Sequence, residues 1–201
     1  MQGMIDRRTA QTRTSASKTA CLAAVMAAVC ATLLTGCGAP ARPLELSITD
    51  MDSLQLRSWL SPQLRRNVDL LPVQGGQDTN PLWGTRMSDM SLNQAYQESL
   101  RRVGLMPDVP ETGRYQLKVE LMAVAQPNVP MAPEVAVSVR YTLTERGGKA
   151  PVYQRILRTT QKAGIDDSLS PTQQLRIATE GALRSNIGEL LRDLASLPLP
   201  T

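Results

Sequence analysis

Three patterns in the sequence predict an α+β fold: a four-stranded, mostly antiparallel sheet with two helices packed on one face, in the order β-α-β-β-β-α. Residues 115–121 and 135–143 alternate apolar and polar side chains, the period of a strand buried on one face. Residues 91–103 and 171–197 repeat apolar residues at three-to-four spacing, the period of an amphipathic helix. Turn residues punctuate these segments at Gly75-Gly76, Gly104 and Arg146-Gly147-Gly148-Lys149. Such layering buries one sheet face and leaves the other available for pairing or docking.

The elements follow in order. Leu44–Ile48 alternates and reads as a strand or an extended arm. Asp50–Leu60 is ambiguous, with Leu54, Leu56, Trp59 and Leu60 fitting a poor helix. Val68–Val73 is a short apolar run before the Gly75-Gly76 turn and predicts the first sheet strand. In Ser91–Val103, Leu92, Ala95, Tyr96, Leu100 and Val103 share one helical face. Ser91 and Gln94 have capping-box spacing, and Gly104 is placed to stop the helix.

Tyr115, Leu117, Val119 and Leu121 then alternate with polar residues, as do Val135, Val137, Val139, Tyr141 and Leu143. In the last strand Val152, Ile156 and Thr160 are the expected apolar side, opposite Tyr153, Arg155 and Leu157. The Gly147-Gly148 turn makes a hairpin of the last two strands. A long helix runs from Pro171 to about Leu197, with Ser170 as N-cap and Gln173 at capping-box spacing. Its predicted buried stripe is Leu175, Ala178, Ala182, Leu183, Ile187, Leu190, Leu191, Leu194 and Leu197. Gly181 and Gly188 each cost about 1 kcal/mol against Ala, a cost acceptable where the helix backbone lies close on the sheet.

The N-terminus carries an address. Arg7, Arg8, Arg13 and Lys18 precede an uncharged stretch from Thr19 to Thr35, which closes on Leu34-Thr35-Gly36-Cys37. This layout resembles a bacterial lipobox, and the resemblance implies cleavage before Cys37, lipidation of its thiol and acylation (palmitate) of the new amino group. An uncleaved spanning helix would need about 20 apolar residues, and Gly36-Cys37-Gly38-Ala39-Pro40 would end it badly. Arg7-Arg8 is followed by Thr9, Ala10 and Gln11, which lack the apolar pair of a twin-arginine signal. An aspartate after the cysteine would resemble an inner-membrane retention signal. With Gly38 there, the periplasmic face of the outer membrane is the expected destination and the inner membrane the alternative. The expected organisation is a cleaved leader (1–36), lipidated Cys37 with tether and N-terminal arm (37–66), and one α+β domain (67–201).

Cleavage changes the charge argument. The whole chain has 22 basic and 18 acidic residues, net +4, but residues 1–36 hold four of the bases and one acid. The mature chain therefore carries 18 against 17, which is no basis for nucleic-acid binding. Cys21 and Cys30 leave with the leader, so no intramolecular disulfide is expected. There is no Phe, and the core must come from Leu, Val, Ile, Met and Ala.

The sequence contains no histidine, which removes the Ser-His-Asp triad, an imidazole base and His metal ligands. An acylated Cys37 leaves no thiol for catalysis or zinc. No catalytic, metal or cofactor site is expected. Asp50/Asp52 and Asp166/Asp167 are the closest acidic pairs and read as loop charges or helix caps. Arg176, Glu180 and Arg184 read as an exposed i,i+4 ladder on the last helix. Gly75-Gly76 lacks the Lys-Ser/Thr of a phosphate loop.

Two loops are the candidate contact sites. Asn80, Pro81 and Trp83 set an indole beside a rigid turn, where it either anchors a partner or covers the end of the core. Pro127–Pro133 is stiff and apolar, with Val129 and Met131 as candidate contacts for a protein or membrane, or else a Pro-braced turn.

Gly75-Gly76-Gln77-Asp78-Thr79-Asn80-Pro81-Leu82-Trp83 and Arg176–Ile187 resemble a family of small uncharacterised proteobacterial outer-membrane lipoproteins. The resemblance spans roughly residues 68–197 and implies a fold and an address without a reaction. In element order the chain is also remotely similar to envelope lipoproteins of the YajG, LpoB and LptE kinds. It departs from LptE in having Gly38-Ala39-Pro40-Ala41-Arg42 where that protein has an aromatic and a Leu-Arg-Gly stretch. The expected function is a non-enzymatic accessory or scaffold in cell-envelope assembly or maintenance, with an envelope protein as partner. A lipid- or glycan-binding module is the alternative, and a carboxylate-dependent hydrolase stands behind it.

Overall fold

Val68–Leu70 (β1), Tyr115–Ala125 (β2), Glu134–Glu145 (β3) and Pro151–Lys162 (β4) form one sheet in the order β1-β2-β3-β4. The computed structural model describes residues 41–76, 87–126 and 132–199, all within the unit Gly38–Thr201. The pairs β2-β3 and β3-β4 are antiparallel, whereas β1 runs parallel to β2 with Val68 opposite Tyr115. Parallel neighbours need a long crossover, and the helix Asp89–Val103 (α3) lies in that connection.

One face of the sheet is covered by α3 and by Pro171–Ala195 (α4). Tyr115, Leu117 and Val119 of β2 and Val135, Val137, Val139, Tyr141 and Leu143 of β3 are buried there. They meet Leu92, Ala95, Tyr96, Leu100 and Val103 of α3 and Ala178, Ala182, Leu183, Ile187, Leu190, Leu191 and Leu194 of α4. The predicted fold class is that observed; the stripe of the last helix is buried except for Leu175, which is half-buried, and Leu197, which lies beyond the helix end at Ala195.

Several expectations change in detail. The N-cap of α3 is Ser88, whose side chain accepts from Ser91 N–H at 3.1 Å, so Ser91 sits inside the helix. The Ser170 side chain makes no cap bond, and Gln173 accepts from Ser168 Oγ at 2.8 Å. In β4 the inward side is the reverse of that expected. Leu157 and Thr159 are buried and Tyr153 is half-buried, while Val152, Ile156 and Thr160 are exposed. Both sides of this strand hold apolar residues, so period two alone does not choose between them. A Cβ on Gly181 would lie 2.8 Å from Gln161 Cγ, the expected close approach to the sheet, whereas one on Gly188 would meet only Arg192 Nη2 at 3.7 Å.

The largest correction concerns the chain just after the tether. Ala41 is already buried, and Pro43–Leu46 is a helical turn (α1) where a strand or arm was expected. Asp50–Trp59 (α2) is helical, N-capped by Thr49. Both α1 and α2 pack on α3 and α4. Leu46, Ile48, Leu56, Leu60 and Leu64 join the one hydrophobic core. The stretch 41–66 is therefore a layer of the domain, on the outer side of the helix pair. The poor helix expected over Asp50–Leu60 is thus present, with Leu54 and Trp59 on its outward side at 62% and 61% exposure.

Candidate functional site

The outer helical layer is held by side chains of α3 and α4 that pattern reading assigned to solvent. Glu180 is buried and accepts from Arg42 N–H at 2.9 Å. Arg176 Nε lies 3.8 Å from the same carboxylate. Arg184 donates from Nε to the Glu45 carbonyl at 2.8 Å and reaches its carboxylate at 3.3 Å. The expected exposed ladder is thus a clasp on residues 42–45. On α3, Ser99 Oγ accepts from Ile48 N–H at 3.3 Å, while Arg102 donates to the Ile48 carbonyl at 3.1 Å and to Asp50 at 2.9 Å. The Arg102 guanidinium is held further above its usual range, chiefly by its hydrogen bond to Glu98.

Two open grooves flank α2. One, of about 480 Å³, lies between α2 and α4 and includes Asp52, Leu56, Trp59, Arg184 and Arg192 in its walls. The other, of about 720 Å³, is lined by Arg57, Arg65, Arg66 and Arg101 with Asp108. Arg66 pairs with Asp108 at 2.9 Å, while Arg57, Arg65 and Arg101 have no carboxylate partner among the described residues. Four of the large apolar side chains left exposed, Leu44, Met51, Leu54 and Trp59, belong to this layer.

Between sheet and helices lies a buried polar network. Tyr96 and Tyr141 meet edge to face, their ring centroids 6.1 Å apart and their hydroxyls at 2.7 Å. Tyr141 donates to Asn186 Oδ1 at 2.7 Å, so the shared proton of the tyrosine pair belongs to Tyr96. Asn186 Nδ2 donates to the Leu157 carbonyl and to Thr159 Oγ1, both at 3.1 Å, and Thr159 donates to the Ala182 carbonyl. Burial pushes both phenols well above the usual tyrosine range. Every donor in the chain is spent within it, so it stitches α3, β3, β4 and α4 together.

Three members of the two acidic pairs hold local hydrogen bonds. Asp50 bonds Arg102, Asp52 accepts from Thr49 Oγ1 at 2.6 Å, and Asp167 accepts from Gly164 N–H at 2.8 Å. Pattern reading passed over Asp69, a buried carboxylate. It accepts from Glu111 and Gly113 N–H at 3.1 and 2.8 Å and from Arg146 at 2.5 Å, which ties the loop before β2 to β1. Among the described residues no three His, Cys, Asp or Glu side chains are placed to hold a metal ion, and no helix is long and apolar enough to cross a membrane.

Strand β4 forms one edge of the sheet, 12 residues long and paired only to β3 among the described residues. Cys37, Asn80, Pro81, Trp83, Val129 and Met131 lie outside the described residues. The flanks of the two loops are described. Gly75 has φ +93°, and a Cβ there would collide with the Leu121 carbonyl. Gly76 N–H bonds Asp89 at 2.6 Å, and Ala132 N–H bonds Gln174 at 3.1 Å.

No protein-family model matches the chain, and a search of curated proteins finds no match. Similar solved structures include a Xanthomonas campestris protein of family DUF330, at TM-score 0.49 and 13% identity over 68% of this chain and 89% of that one. A hypothetical protein of Chlamydia trachomatis has TM-score 0.47 and 10% identity over 67% and 99%. A minor lipoprotein of Acinetobacter baumannii has 0.43 and 9% over 66% and 94%. At these values the likeness carries no functional argument.

Proposed function

We propose that the protein is a lipoprotein anchored through acylated Cys37 at the periplasmic face of the outer membrane. In this reading it serves as a non-enzymatic accessory or scaffold in envelope assembly or maintenance. The address is supported by the basic leader, the apolar stretch and the Leu34–Cys37 sequence. More than one acyl chain gives stable anchoring, at about 0.8 kcal/mol per buried methylene.

The observation that carries the scaffold reading is the outer edge of β4, which has no strand partner among the described residues. A long unpaired strand edge is a template for adding a strand from another chain. Its exposed Val152 and Ile156 offer apolar contact beside that edge. The charged Arg155, Arg158 and Lys162 blunt indiscriminate pairing, as native edges do. An enclosed lipid or glycan site would need room between sheet and helices, where the Tyr96-Tyr141-Asn186 network sits.

Photo-crosslinking in intact cells tests this, with the probe at Arg158 or Thr160 on β4 and, for reference, at Gln116 on the open sheet face. The expected result is one discrete envelope-protein adduct from the β4 positions and none from Gln116. Equal or absent adducts at all three positions would contradict partner binding at the edge.

A further inference from the structure

The outer helical layer has features that a strand-edge scaffold does not use. Met51, Leu54 and Trp59 lie on the side of α2 opposite buried Ser53 and Leu56, at 78%, 62% and 61% exposure. Leu44 of α1 is 65% exposed as well. Exposed Gln55 and Ser58 lie among them on α2, so this side sets three large apolar side chains in a partly polar surface. The arginine-lined grooves border it on both sides, Arg57, Arg65, Arg66 and Arg101 on one and Arg184 and Arg192 on the other. Those six cations face Asp52 and Asp108 as the carboxylates in the same linings. Arg66 pairs with Asp108, Arg184 with Glu45 and Asp50 with Arg102, which leaves Arg57, Arg65 and Arg101 beside the patch without a carboxylate partner among the described residues.

The tether adds a geometric constraint. Ala41 is buried and Arg42 is fixed to Glu180, so Cys37 is four residue steps from the packed domain. At about 3.3–3.6 Å per residue, four steps span at most about 14 Å. Acyl chains on Cys37 therefore hold the start of the outer layer within about 14 Å of the lipidated residue, close to the membrane surface.

We propose that the outer face of α2, with its flanking arginines, docks on the surface of the bilayer that holds the anchor and selects anionic phospholipid. Met51, Leu54 and Trp59 enter the boundary between headgroups and acyl chains, and Arg57, Arg65 and Arg101 contact phosphates. Trp, Met and Leu beside basic side chains are the composition that such an interface favours. Docking this face turns the sheet toward the aqueous side, with β4 clear of the lipid. The inference rests on acylation of Cys37, and its test separates the two.

The full lipidated protein carrying Trp83→Phe, which leaves Trp59 as its one tryptophan, is reconstituted into phosphatidylethanolamine vesicles containing bromo-lipid, with and without phosphatidylglycerol at about 30 mol%. Flotation reports the anchor and Trp59 emission reports docking. The expected result is flotation in both cases, with Trp59 quenched roughly twofold in the anionic vesicles and less in the neutral ones. In the anionic vesicles the Arg65→Gln, Arg101→Gln double variant should fall back to the neutral-vesicle value. If Trp83→Phe disturbs folding, the difference in quenching between the wild type and Trp59→Phe measures the same contact. A protein that floats with Trp59 unquenched overturns the docking and leaves the anchor intact. Failure to float overturns the anchor. Equal quenching in both vesicle types overturns the selection of anionic lipid.

Discussion

Asn186 shows what a single side chain does in this fold. It accepts from Tyr141 and donates to the Leu157 carbonyl and to Thr159, entirely out of water. A buried donor or acceptor without a partner costs about 1–3 kcal/mol. Asn186→Ala strands the Tyr141 hydroxyl and the Leu157 carbonyl together and should lower unfolding stability by about 3–4 kcal/mol in urea titrations. Tyr141→Phe leaves Tyr96 and Asn186 Oδ1 unpaired, at about 2–3 kcal/mol, and Tyr96→Phe leaves one lone pair free, at about 1 kcal/mol. Equal losses for the two tyrosines would contradict the central place of Tyr141 in the network. The apolar half of this core was legible: Leu92, Tyr96, Leu183 and Ile187 fell on their predicted faces. Asn186 and Glu180 were not, because a polar residue on a helix reads as solvent-facing until its distant partner is known. Glu180 meets Arg42 across 138 positions of sequence.

At the scale of elements, backbone geometry separates glycines that look alike. Gly104 ends α3 at φ +83° with open space around its Cβ position, so Gly104→Ala should cost only the left-handed strain, about 1 kcal/mol. Gly75→Ala adds a collision with the Leu121 carbonyl and should cost about 3 kcal/mol or more. Comparable melting shifts for the two variants would overturn this distinction. The outer layer depends on its clasp in the same way. Arg184→Ala removes both contacts to Glu45 and should cost about 1 kcal/mol. It should also speed proteolysis within residues 42–58, with the sheet left protected. Strands β2 and β3 were legible because one side of each is strictly apolar. Helices α1 and α2 were not, since each buries few residues and α2 is apolar on its outer side too.

Across the domain, the two faces differ in kind: an open sheet surface ending in the β4 edge, and a helical layer that sets exposed Met51, Leu54 and Trp59 beside arginine-lined grooves. The chain has no histidine, so no imidazole titrates in the physiological range. The buried phenols govern the alkaline limit. Unfolded tyrosines ionise near pH 10, while folded Tyr96 and Tyr141 keep their protons to higher pH. Above about pH 10 the unfolded state binds fewer protons, so stability is full below that point and falls as pH rises, by up to about 1.4 kcal/mol per pH unit for each phenol. The melting temperature should decline there, and less steeply in the Tyr96→Phe, Tyr141→Phe double variant. An unchanged slope would contradict the assignment. Partner docking and lipid docking both depend on the domain being held at a membrane. Metabolic labelling with a palmitate analogue, followed by intact mass of the mature protein, tests that most directly. The expected result is labelled protein beginning at Cys37, with label and processing both lost in Cys37→Ala; an unlabelled chain that retains residues 1–36 would contradict membrane anchoring.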